Sequence, residues 1–182
     1  MEPNTLFWSQ PPTLPEDDTL WDIQEAGQQL LAEHGYVQYE VSAYARAGQQ
    51  ARHNLNYWSF GDFIGIGAGA HGKLSSPSGQ IVRTWKTRLP KDYLDPDKAF
   101  LAGERALTSE ELPFEFLMNV LRLNDGCSSA LFTQRTGLPL SVLSSARGEA
   151  EARGLLLRDP SRLAASREGQ LFLNDLLQHF LA

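Results

Sequence analysis

Apolar residues recur at helical spacing between Asp17 and His34, where Leu20, Ile23, Gly27, Leu30 and Leu31 fall on one face. Asp17 or Asp18 can cap the start of this helix, and Gly35 suits a left-handed stop. Ahead of it, Pro3, Pro11, Pro12 and Pro15 predict an extended segment. β-Branched and aromatic residues predict a strand from Tyr36 to Tyr44. A short helical turn is predicted around His53, then a buried strand over Asp62–Ile66 that ends in glycines. Lys73–Leu74 and Gln80–Trp85 predict a hairpin around Ser76-Pro77-Ser78-Gly79. A further helix is predicted from about Pro90 to Glu104.

The pattern changes near residue 105. Thr108-Ser109-Glu110-Glu111 has the form of a capping box, followed by a helix to about Leu123 with Phe114, Leu117, Met118 and Leu121 as its stripe. Ser128–Thr136 predicts a second helix, Gly137-Leu138-Pro139 a turn, and Ser141–Arg153 a third helix. Leu155–Arg158 and Arg162–Ala165 predict a short hairpin around Asp159-Pro160-Ser161, and Ser166 caps a last helix to about Leu181. Helix, helix, turn, helix, hairpin, helix is the order of a winged-helix module.

Composition narrows the function classes. At 182 residues and 42% hydrophobic, the chain fits one large domain or two small ones with a true core. A net charge of -6 argues against bulk attraction to nucleic acid or anionic membrane. The chain has no apolar run of about 18 residues, the length that would suggest a membrane span. Met1-Glu2-Pro3-Asn4-Thr5 has neither the basic nor the apolar region of a signal peptide. Cys127, the single cysteine, excludes an internal disulfide and a multi-cysteine metal site. A cytoplasmic protein is expected.

Candidate chemistry is concentrated between Arg52 and Lys73. Gly67–Lys73 matches G-x-x-x-x-G-K, but a phosphate-binding loop needs Ser or Thr next and a helix behind it. Leu74 follows instead, and Ser75-Ser76-Pro77-Ser78-Gly79 cannot continue a helix, so a nucleotide-phosphate role is not expected. Gly65-Ile66-Gly67-Ala68-Gly69-Ala70 also satisfies G-x-G-x-x-A without the required helix. The plainer reading is a glycine-rich strand end that lets backbone or ligand approach closely. A lone histidine is by default a surface or packing residue, but His53 is followed by Asn54, Asn56, Tyr57 and Trp58. On a helical turn His53, Asn56 and Tyr57 share a face, which offers an imidazole beside an aromatic wall. That arrangement suits a flat macrocycle with a metal centre. His34, His71 and His179 have structural readings: a helix C-terminus, a backbone hydrogen bond and a chain end. Ser141–Arg153 carries Arg147 and Arg153 beside Glu149 and Glu151, which is too neutral for a DNA-reading helix.

Four segments together resemble a known family: Glu2-Pro3-Asn4-Thr5-Leu6-Phe7, Tyr39-Glu40-Val41-Ser42-Ala43-Tyr44-Ala45, His53-Asn54-Leu55-Asn56-Tyr57-Trp58 and Gly65–Lys73. They occur in this order in the radical S-adenosylmethionine (SAM) heme chaperones of the HemW type, long described as oxygen-independent coproporphyrinogen III oxidase-like. The resemblance continues through Pro113-Phe114-Glu115-Phe116 to Leu171-Phe172-Leu173-Asn174. It implies an α/β fold over residues 1–104, the last part of a partial (β/α) radical SAM barrel with added strands. A small α-helical winged-helix-like domain over residues 105–182 would follow.

The family's C-x-x-x-C-x-x-C run, which holds a four-iron four-sulfur cluster, lies in an N-terminal half of the barrel that this sequence does not contain. The chain reads as either a truncated piece or a fragment gene, with Met1 before Glu2-Pro3 suggesting an artificial start, and it is expected to be inactive alone. The resemblance assigns heme binding to His53, Asn54, Tyr57 and Trp58, with His53 on the heme iron. It assigns SAM contacts to Glu2, Gly65, Ile66, Gly67, Ala68 and Gly69. Ala51 departs from the family, whose members often carry cysteine there. The implied parent carries heme to a respiratory membrane acceptor, working in the cytoplasm or at the periphery of the inner membrane. Decarboxylating oxidation of coproporphyrinogen III is the alternative, although those enzymes resemble the chain more weakly and lack the His53 motif. A winged-helix nucleic-acid module is the alternative of another class, with no binding expected. Apolar edges left by the absent half-barrel predict self-association or a covering partner chain.

Overall fold

A computed structural model describes residues 5–181. The predicted first helix is present as α2 (Asp17–Glu33), after a single turn α1 (Leu6–Ser9), and Gly35 stops it at φ 79°. Its apolar stripe is not covered: Leu20, Ile23 and Leu30 are all exposed, as are Phe7 and Trp8 of α1.

Three sequence expectations fail in this first part. The single strand over 36–44 folds back on itself as β1 (Val37–Glu40) and β2 (Ala43–Ala45), because Val41-Ser42 form a tight turn between them. Asp62–Ile66 is not a buried strand. Only Phe63 bridges to Lys73, and Ile64 and Ile66 are 72% and 85% exposed. Gly67 and Gly69 take φ 110° and 71°, which breaks any continuing ladder. The helix predicted over 90–104 stops after one turn, α4 (Pro90–Tyr93), since Pro96 cannot continue it. Leu101–Ala106 is a strand, β5.

The hairpin prediction holds. β3 (His71–Ser75) and β4 (Ile81–Lys86) pair antiparallel around Gly79, and β5 joins β4 to make a three-stranded sheet. All strand pairs among the described residues are antiparallel, in three small sheets, and none closes into a barrel.

In the later part the capping box forms. The Thr108 amide donates to Glu111 Oε2 at 2.9 Å, and the Glu111 amide donates to Thr108 Oγ1 at 3.3 Å. Helix α5 (Leu112–Val120) is shorter than expected and rotated from the predicted stripe: Phe116, Leu117 and Val120 are fully buried, whereas Met118 is exposed. β6 (Cys127–Ser128), α6 (Ser129–Thr136) and α7 (Ser144–Ala152) follow, with Leu140–Leu143 as a 3₁₀ turn where a continuous third helix was predicted.

The wing is only partly the predicted hairpin. Leu156 bridges Ala165, but β7 (Arg162–Leu163) pairs with β6. Ser166 caps the last helix as expected, which then breaks at Phe172 into α8 (Arg167–Leu171) and α9 (Leu173–Gln178).

The core lies among α5, α6, α7 and α9, with Phe116 ringed by Phe60 at 5.5 Å and Phe132 at 5.2 Å. Phe60 and Ile81 connect the three-stranded sheet to that core.

Candidate functional site

Helix α3 (Arg52–Trp58) carries the His53 motif and is the predicted helical turn. It ends where Phe60 takes φ 55°, a left-handed conformation costing roughly 1–2 kcal/mol in a non-glycine residue. Burial of the Phe60 ring to 1% exposure against Phe116 offsets that cost. Gly61 is needed next, because its amide donates to the Asn56 carbonyl at 2.7 Å and a Cβ there would strike the Asn56 side chain.

Each motif residue has a distinct surrounding. His53 is exposed, and among the described residues nothing hydrogen-bonds its imidazole. Its ring nitrogens are therefore available to a metal. Asn54 faces inward and donates from Nδ2 to Tyr39 Oη at 3.1 Å, tying α3 to β1. Tyr57 packs edge-on to Trp58 at 5.0 Å and against Phe63 at 4.4 Å. Trp58 is half-buried beneath the Arg122 guanidinium, which lies 4.3 Å from its ring. Asn56, expected on the His53 face, donates from Nδ2 to the Asp62 carbonyl at 2.9 Å and so fixes the start of the glycine loop.

Arg122 escaped the sequence reading. Its guanidinium pairs with Glu40 at 3.3 Å, and Glu40 is 2% exposed. Ser42 donates to the other oxygen of Glu40 at 2.9 Å. The Tyr39–Ala45 segment is thus joined to the His53 segment twice, at Tyr39–Asn54 and through Glu40–Arg122–Trp58. Nε of Arg122 and Nε1 of Trp58 are buried without a hydrogen-bond partner among the described residues. Nothing local to Arg122 signals this contact, because it spans 82 residues of sequence.

The glycine loop runs from Gly65 to Ala70 beside β3 and β4. Gly65 lies against the His71 carbonyl, where any Cβ would overlap it. The Gly67 amide donates to Tyr93 Oη at 3.1 Å, and the Gly69 amide donates to the Thr87 carbonyl at 2.9 Å. Gly67 is open, with nothing within 4 Å of an added Cβ, so a ligand can reach its backbone. Ile66 and Ala68 are exposed; Glu2, the other residue assigned to SAM by resemblance, lies outside the described residues.

Lys73 is no phosphate ligand here. It is buried on β3, 2% exposed, with Nζ 3.0 Å from Asp62 Oδ1 and 4.2 Å from the Phe60 ring. Burial pushes the Lys73 ammonium below its usual value and outweighs the Asp62 carboxylate. Burial also raises Asp62, but hydrogen bonds from the Ser75 amide, Lys73 and the Ser75 hydroxyl leave it lower than an ordinary aspartate.

The remaining candidates have structural surroundings. His34 Nδ1 lies 2.8 Å from the Leu30 carbonyl at the end of α2, and His179 contacts Arg153 at 3.0 Å. His71 is exposed on β3 opposite Trp85. Burial pushes the Cys127 thiol up to about 12, so it stays protonated and packs on the core. A four-iron four-sulfur cluster does not fit such a lone thiol. Among the described residues no three His, Cys, Asp or Glu side chains gather as a metal site. Arg147 on α7 is paired with Glu151 at 2.6 Å. No described helix is long and apolar enough to cross a membrane.

Comparison with known proteins brings these observations together. Residues 107–172 match the family described as HemN C-terminal domain. The heme chaperone HemW of Escherichia coli (strain K12) is 50% identical over 182 residues, which are 100% of this chain and 48% of that protein. The whole chain is thus similar to a C-terminal part of the HemW heme chaperones, and the HemN C-terminal domain match lies within it. The HemW of Haemophilus influenzae is 46% identical over 181 residues, covering 100% of this chain and 47% of its own length. The chain therefore spans about half the length of the curated HemW relatives it matches. Its fold is shared with a solved structure described as coproporphyrinogen III oxidase (HemN) from Escherichia coli, a radical SAM enzyme. The TM-score is 0.65 at 15% identity, covering 92% of this chain and 42% of that one.

Proposed function

We propose that this chain carries the heme-docking part of a heme chaperone, with His53 as a ligand to heme iron and Tyr57 and Trp58 walling its seat. The observation that carries this reading is the exposed His53, unpartnered among the described residues, on a helix where Asn54, Asn56, Tyr57 and Trp58 are each held by neighbours. A fixed helix with one free imidazole presents a ligand at little entropic cost. Asn54 then acts from behind, by holding α3 on Tyr39.

In the longer parent, the four-iron four-sulfur cluster and SAM would supply redox and radical chemistry. The open backbone at Gly67, beside Tyr93, would face SAM. The heme would pass to a respiratory membrane acceptor, with the chaperone working from the cytoplasmic side. A division into residues 1–104 and 105–182 is part of this proposal, and the family match over residues 107–172 supports it.

Heme titration followed by absorbance tests the assignment. The Soret band is expected to shift on binding, and His53→Ala is expected to abolish the shift and weaken heme at least on the order of tenfold. An unchanged spectrum and affinity in H53A would remove His53 as the ligand. Product analysis of the cluster-loaded parent separates the alternative: accumulation of protoporphyrinogen IX would make it a coproporphyrinogen oxidase instead.

A further inference from the structure

A depression of about 480 Å³ opens beside the glycine loop, lined by Ala68, Gly69, His71, Trp85, Lys86 and Arg88. Its lining collects two basic side chains and a histidine in a chain of net charge -6. Lys86 and Arg88 have no carboxylate within 4.0 Å among the described residues, and neither side chain makes a hydrogen bond. Most other strong cations near the three-stranded sheet are neutralised: Lys73 by Asp62, Arg83 by Glu115, Lys98 by Asp92 and Arg105 by Glu111.

The side chains are also placed. Lys86 Nζ lies 4.7 Å from the Phe100 ring, so the lysine is held without being neutralised. Trp85 lies over Gly103, where a Cβ would strike its ring, and sits directly across the strand pair from His71. The floor is fixed by the Gly69 amide on the Thr87 carbonyl and the Lys86 amide on the Ala70 carbonyl, both 2.9 Å.

We propose that this depression is a carboxylate-binding site, and that the carboxylates are those of a porphyrin. The identity of the ligand rests on the heme reading above. Two unneutralised cations match two carboxylate side arms, and an indole face beside them suits a flat ring. The carboxylate of SAM is the other source of this chemistry in the family. It arrives with a sulfonium and an ammonium, which two uncompensated cations and no acid would repel.

Metal-free protoporphyrin IX tests the site without iron ligation. Its binding is measured by fluorescence beside that of its dimethyl ester and of S-adenosylhomocysteine, at two salt concentrations. The free acid is expected to bind more tightly than the ester, and more weakly as salt rises. K86Q/R88Q is expected to weaken the acid on the order of tenfold and leave the ester unchanged. R88Q alone, at an exposed side chain, is expected to give part of that loss with the thermal midpoint unchanged, and K86R to retain binding.

Equal binding of acid and ester, or a double variant that binds the acid normally, overturns the proposal. So does a loss confined to S-adenosylhomocysteine. The heme assignment fails separately: it predicts that H53A loses the ferric Soret shift but still binds the metal-free acid.

Discussion

Single residues in this chain are constrained by what stands within a few ångströms of them. Gly65 has no room for a methyl group because the His71 carbonyl fills it. Gly65→Ala is expected to cost about 1–3 kcal/mol, read from urea unfolding, while Gly67→Ala meets only a backbone penalty at φ 110°. Asp62 titrates lower in the folded chain than in the unfolded one. Its contribution to stability is therefore complete above the unfolded carboxylate range and disappears as pH falls through its lower folded value. Asp62→Asn is expected to flatten the acid limb of a stability–pH curve; an unchanged limb would refute this. The helical turn that carries the His53 motif was legible in the sequence because its residues are contiguous. Whether the imidazole is free, and that Asn54 points away from it, depended on Tyr39 and solvent.

Elements in this fold are held by side chains from distant elements more than by their own propensity. Helix α3 is too short to be stable alone. It is pinned by Asn54 to β1, by Trp58 to Arg122 and by Phe60 to the core. Arg122→Met leaves Glu40 buried without its cation and is expected to cost roughly 3–5 kcal/mol. Adding Glu40→Gln should recover part of that loss in a double-mutant cycle, because the uncompensated charge is removed. Purely additive losses would show that the pair is not coupled. Capped helices and the Gly79 hairpin were readable because their signals lie within four residues. The strand β5 was misread as helix, since its partner β4 lies well upstream and only that pairing makes Leu101–Ala106 a strand.

The whole molecule buries its apolar surface unevenly. The core collects around α5–α9, whereas α1 and α2 leave Phe7, Trp8, Leu20, Trp21, Ile23 and Leu30 exposed. Exposed apolar patches of this kind commonly serve as contact surfaces, and association through this one is the expectation. Sedimentation is expected to show concentration-dependent association that Leu20→Ser/Ile23→Ser reduces; a strict monomer at high concentration would contradict this. Periodicity, caps and turn glycines by themselves determined where most helices and the central hairpin lie, and the His53 motif was placed on a helical turn. Those signals act over a few residues, so they survive in a linear reading. Tertiary structure alone decided that α2 keeps its apolar face bare, that Lys73 is buried against Asp62, and that Lys86 and Arg88 face an open depression unneutralised. The reason is physical: burial and charge pairing depend on neighbours brought together from far along the chain, and no local pattern encodes which neighbours those are.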